Sequence, residues 1–118
     1  MFSKTLQRLI SQVEGARGAA VLNIDGLVIE AVDAQGKRIA PDAALSEYGL
    51  IVRQLLDIGS AVEIGDVSHF TIAGEDRITL VRPLDEQYVA ALQVAPQATI
   101  GKAQFYLRVA APDLAREI

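Results

Sequence analysis

Hydrophobic and polar positions alternate along this chain in periods that change from segment to segment. Phe2, Leu6, Leu9, Ile10 and Val13 recur at helical spacing, with Gln7, Arg8, Ser11, Gln12 and Glu14 on the other face. Gly15 then stands where a helix closes through a left-handed C′ residue. Residues 18–24 (GAAVLNI) and 27–33 (LVIEAVD) are β-rich runs separated by Asp25-Gly26, two residues that tolerate positive φ, which predicts a hairpin.

A long helix is predicted from Pro41-Asp42 to about Gly59. Leu45, Tyr48, Val52, Leu55, Leu56 and Gly59 form one stripe, and Leu50, Ile51 and Ile58 lie beside it. A helix that covers one sheet face needs a single stripe. The surplus is explained by deep burial within one chain or by a second subunit. Total burial of a helix is hard to arrange in so small a domain, which favours the second subunit.

Three further strands are predicted at 67–73 (VSHFTIA), 77–84 (RITLVRPL) and 88–94 (YVAALQV), joined by turns at Gly74-Glu75-Asp76 and Asp85-Glu86. The runs ITLV and YVAAL are apolar at successive positions, so both faces of the sheet require cover. The last helix opens at a Thr99 N-cap, with Ile100, Ala103, Leu107, Ala110, Ala111 and Leu114 on one face. Pro112 is expected to kink or restart it. The order α-β-β-α-β-β-β-α predicts an α/β (α+β) fold with profilin- or longin-like layering. A five-stranded antiparallel sheet lies between the long helix and the two terminal helices.

With 118 residues and no repeat or linker, one domain spanning 1–118 is expected. The net charge of −4 makes nucleic acid and anionic membrane surfaces poor partners. The absence of Cys removes disulfides, thiolate chemistry and sulfur metal sites. The longest uncharged stretch, 87–101, contains three Gln and Pro96 and is too short and polar to span a bilayer. No secretory h-region follows Met1-Phe2-Ser3-Lys4. A soluble, cytoplasmic protein is expected.

Chemistry is sparse. His69 is the single histidine, without a second His or a Cys to share a metal and without a Gly-x-Ser-x-Gly nucleophile to serve. The glycines never assemble into a phosphate-binding Gly-x-Gly-x-x-Gly, and no Walker sequence occurs. Asp25, Glu75, Asp76, Asp85 and Glu86 fall at turns, where solvated carboxylates are ordinary. Arg82, late in a strand before Pro83, suits an ion pair or a sheet rim more than a catalytic finger. No cofactor, metal or catalytic residue is expected, and the chain is read as a non-enzyme.

The stretch 17–29 (RGAAVLNIDGLVI) resembles the opening hairpin of the roadblock (dynein light chain) family: a Gly-Ala start, an Asp-Gly turn, then an apolar strand. The long helix ending near Gly59, the strands at 78–84 and 88–94, and a last helix opening at Ile100-Gly101 follow in the same order. The resemblance covers nearly the whole chain, and is to the bacterial or archaeal gliding-motility regulators of that family. It implies a homodimer, with two sheets joined edge to edge through 67–73 and the long helices side by side. Leu50, Ile51, Gln54, Leu55 and Ile58 would meet across the helices, and Val67, His69, Phe70, Thr71 and Ile72 along the edge. A strand with no Pro or Lys to blunt it invites such pairing. The implied partner is a small Ras-like GTPase, met by Glu47, Arg53 and Asp57. Some bacterial relatives carry extra terminal segments, whereas this chain stops at Ile118 soon after the last helix, so activation of a GTPase is a separate expectation from binding one. Two other readings stand beside this one. A sensor or scaffold of profilin- or PAS-like architecture requires a cavity with convergent polar groups. An enzyme would depend on His69 or Arg82.

Overall fold

The computed structural model describes residues 1–40 and 43–118, and their side chains except those of 43–47, 49 and 60. The chain folds as α1 (Ser3–Gln12), β1 (Ala16–Asn23), β2 (Val28–Asp33), β3 (Arg38–Ile39), α2 (Ala43–Ala61), β4 (Phe70–Ala73), β5 (Ile78–Pro83), β6 (Tyr88–Val94) and α3 (Ile100–Arg116). The strands form one antiparallel sheet in the order β3-β2-β1-β6-β5-β4. It has six strands rather than the expected five.

The additional strand follows from a turn that repeats the first hairpin. Between β1 and β2, Asn23 N–H donates to Leu27 C=O at 2.7 Å, Gly26 N–H to Asn23 C=O at 3.0 Å, and Gly26 takes φ +98°. Among the described residues Asp25 does not share that conformation, so the loop has three residues with one left-handed glycine. Asp33 and Gly36 build the same loop again, with Gly36 at φ +77°. There Asp33 Oδ1 accepts from the backbone N–H of Gln35 and Lys37, both at 2.9 Å. That turn sends the chain back along β2 as β3.

The edge strand β4 is shorter than 67–73, because Val67, Ser68 and His69 precede the ladder. Its register runs from Phe70 opposite Val81 to Ala73 opposite Ile78. One step further, Ser68 and His69 would face Pro83 and Arg82. Pro83 has no N–H to donate, which ends the pairing. Pro112 does not break α3, which runs unbroken from Ile100 to Arg116. Pro112 is exposed, so solvent can satisfy the carbonyl that loses its donor. Thr99 is the N-cap residue as expected, but its hydroxyl caps nothing.

The two sheet faces are covered unequally. On one, α1 and α3 seal Phe2, Leu6, Leu9, Leu107 and Leu114 against Val21, Leu80 and Leu92, all essentially inaccessible. Arg8 pairs with Asp113 at 2.6 Å across these two helices. On the other face α2 contributes the fully buried Val52 and the half-buried Tyr48 and Leu56 over Ala20, Leu22, Val81 and Val89. Pro41 and Asp42 lie outside the described residues, and Leu45 outside those whose side chains are described.

Gly59 is buried where the chain leaving α2 folds back on it. A Cβ there would meet the carbonyl oxygen of Gly65 at 2.6 Å and Val67 Cγ2 at 2.9 Å. The helix closes with Ile64 N–H donating to Gly59 C=O at 3.1 Å, through Glu63 at φ +58°. This is a six-to-one C-terminal closure in which a glutamate occupies the glycine position. Gly59→Ala is expected to cost about 1–3 kcal/mol in chemical denaturation, because backbone must move to admit a methyl group.

Glu30 is buried, yet charged groups surround it. Ser3 Oγ donates to it at 2.7 Å, and the Met1 ammonium and Arg38 lie at 3.4 and 3.6 Å. Burial pushes its carboxyl up, but the Ser3 hydroxyl, the ammonium and Arg38 more than offset this and hold it below its ordinary value of 4.5. A carboxyl depressed in the folded state adds stability that is present above its unfolded value. That stability is lost as pH falls through the folded value. Stability measured by urea titration should therefore fall as pH drops below about 4.5. Ser3→Ala should make that part of the acid loss shallower.

Candidate interaction surface

The described part of α2 presents three differently used flanks. Val52 and Gly59 face the sheet. Arg53 extends to one side, where Nη1 lies 2.5 Å from Asp25 Oδ1 in the β1–β2 turn. At about 100° per residue, Ile51, Leu55 and Ile58, with Val62 just past the last residue of α2, fall on the opposite flank, which therefore faces the β4 edge. Their spacing of four, three and four is that of a helix seam. Ile51, Ile58 and Val62 are 43%, 49% and 54% exposed, and Leu55 is half-buried. Leu50, 60% exposed, and Gln54 point away from the sheet beside this seam.

The expected edge residues divide between two environments. Val67 is half-buried against Gly59, and Phe70 packs into the cluster beneath α2. Ile72 shares the α2 side and is exposed. Thr71 faces the other side, where Gln104 Nε2 approaches its hydroxyl at 3.5 Å, and His69 is exposed just before the strand. What β4 offers as an edge is chiefly its backbone, since β5 pairs only one side of it.

Of the three expected partner-binding residues, Arg53 is engaged with Asp25. Asp57 is exposed without an ion pair among the described residues. Glu47 lies outside the residues whose side chains are described. Arg82 is half-buried, and burial first, then the charge of Arg108, lower its pKa. Among the described residues no cluster of three His, Asp or Glu side chains could hold a metal, and no helix is long and apolar enough to cross a membrane.

A polar line under α2 escaped the sequence reading. Tyr48 Oη and Thr79 Oγ1 share a hydrogen bond of 3.1 Å, Gln93 Nε2 approaches the same hydroxyl at 3.4 Å, and Arg77 Nη1 donates to Gln93 Oε1 at 3.1 Å. Tyr48, Arg77 and Gln93 border a groove of about 190 Å³ shared with Arg17, Gly18 and Asp33. Thr79 and Gln93 are opposite one another in the β5–β6 register. The signal was a single polar residue inside each of two apolar runs, which only register can align. Tyr48→Phe leaves the buried Thr79 hydroxyl one partner short and should lower stability by about 1 kcal/mol in urea titration.

No family model matches the sequence, and no curated protein matches it. Solved structures do. MglC from Myxococcus xanthus is 26% identical, with a TM-score of 0.73 over 99% of this chain and 98% of that one. The gliding protein MglB from Thermus thermophilus is 22% identical, with a TM-score of 0.78 over 96% of this chain and 84% of that one. A Roadblock/LC7 domain from Streptomyces avermitilis is 15% identical, with a TM-score of 0.75 over 98% of this chain and 95% of that one. Helix and strand order, sheet topology and these likenesses together show that the chain has the fold of roadblock/LC7 domains and is similar to MglC and MglB.

Proposed function

We propose that this domain is a homodimeric adaptor that binds a small Ras-like GTPase in the cytoplasm and acts through binding rather than through chemistry of its own. The observation that carries the reading is the α2 seam of Ile51, Leu55, Ile58 and Val62 beside an open β4 edge. Each exposed seam residue gains about 1 kcal/mol when its remaining apolar surface leaves water. A second copy that presents the same seam and edge covers both at once, as a twofold interface requires. The likeness to MglC and to the gliding protein MglB supports a motility regulator of this kind. The exposed ends of the paired helices, with Asp57 unpaired among the described residues, then form the GTPase-facing surface.

A sensor module is the second reading, and the groove bordered by Tyr48, Arg77 and Gln93 favours it. The groove is small beside ordinary ligand pockets, which run from about 300 Å³ upward.

Light scattering on the purified chain should give twice the protomer mass, and Ile58→Asp should return it to one protomer. Titration with the cognate GTPase in its GDP and GTP-analogue states should show binding, weakened about tenfold by Asp57→Arg. A chain that stays single at high concentration removes the dimer. An intact dimer that binds neither state removes the GTPase.

A further inference from the structure

The face opposite α2 carries a charge arrangement that neither folding nor the α2 surface uses. In the β5–β6 register Arg82 stands opposite Ala90, which belongs to the cluster under α1 and α3, so Arg82 rises on the α3 side of the sheet. Arg108 lies one helical turn beyond Gln104, whose amide approaches Thr71 of the edge strand. The flank of α3 holding Gln104 and Arg108 therefore overhangs β5 and β4. The ledge beneath contains His69, Thr71 and Arg82.

The guanidiniums of Arg82 and Arg108 thus lie on the same side of the sheet, near enough for the charge of Arg108 to act on Arg82. Neither has a carboxylate or a hydrogen-bond acceptor among the described residues. The contact found for Arg108 is with the ring of Phe105, 5.6 Å from its centroid. Asp113, further along α3, is shared between Arg8 and Arg116 on the α1 side. Burial first, then the charge of Arg108, disfavours the charged form of Arg82. A like-charged pair held without a counterion in a chain of net charge −4 costs stability and yields nothing within the fold.

We propose that this ledge docks an acidic segment of a protein partner, whose carboxylates bridge Arg82 and Arg108. A planar guanidinium accepts a carboxylate through two parallel hydrogen bonds, and two of them side by side suit adjacent Asp or Glu residues. Charge complementarity selects the occupant: an acidic segment supplies the counterions that the fold withholds. Arg82 and Arg108 lie across the sheet from the α2 seam, and only His69 and Thr71 of the ledge belong to the β4 edge, so the two guanidiniums stand apart from the dimer and GTPase surface proposed above.

The test uses the full chain and a fluorescein-labelled peptide of Asp and Glu residues, read by fluorescence anisotropy. The same peptide with Lys at the acidic positions and a single-stranded oligonucleotide serve as competitors. The acidic peptide should bind and neither competitor should displace it. Arg82→Gln and Arg108→Gln should each weaken binding about tenfold. The Ile58→Asp variant should bind as the parent does, which separates this site from the dimer. Arg108→Gln should also leave the Tm unchanged or raise it, because a repulsion is removed. No binding by the parent chain, tighter binding of the oligonucleotide, or an Arg108→Gln variant that melts lower while still binding the peptide would each overturn the proposal.

Discussion

The structure depends on a sheet that is apolar on both faces and must be kept from water on both. β1, β5 and β6 bury side chains at successive positions, so neither face can be left wet. On one face two helices close over the core and seal it. On the other a single helix lies across the sheet, and the described residues of that face include fewer buried helix side chains. This asymmetry explains why exposed apolar residues gather on α2 and beside β4. Burial on one side is complete within the chain, whereas the other side retains surface that a second molecule can cover.

The same asymmetry orders the rest of the molecule. The complete face is pinned by Arg8–Asp113, by Thr5 donating to Glu117, and by Glu30 within its cluster of donors. The incomplete face is held more lightly: an exposed pair at Arg53–Asp25, one hydroxyl line through Tyr48 and Thr79, and the close approach at Gly59. Exposed ion pairs contribute little. Gly59 matters more, since it allows the chain to leave α2 and return at once as the edge strand. The edge and the helix seam are therefore presented on one side of the protomer.

Periodicity in the chain determined α1, the β1–β2 hairpin, β5, β6, α3 and the surplus apolar flank of α2. In each, the pattern of burial is a local property that side-chain spacing records directly. Asp25-Gly26 marked the right turn, although only Gly26 takes the left-handed conformation. The resemblance carried by residues 17–29 and by the order of elements pointed to the fold shared with MglC and MglB.

Other features were decided by tertiary structure. The short β3 has two residues and no periodicity, and it exists because the Asp33 carboxylate folds its own turn. The length of β4 was set by its neighbour, since Pro83 in β5 ends a ladder that the β4 sequence alone would continue. Phe70 is half-buried against the cluster beneath α2, because register fixes which face it occupies. The Thr79–Gln93 line and the Arg82–Arg108 ledge join residues distant in sequence, and nothing in a local pattern can align them. The sequence by itself set which segments are helices and strands and how much apolar surface they carry. Strand register and helix placement alone decided which polar groups meet, because those meetings depend on distances across the sheet rather than along the chain.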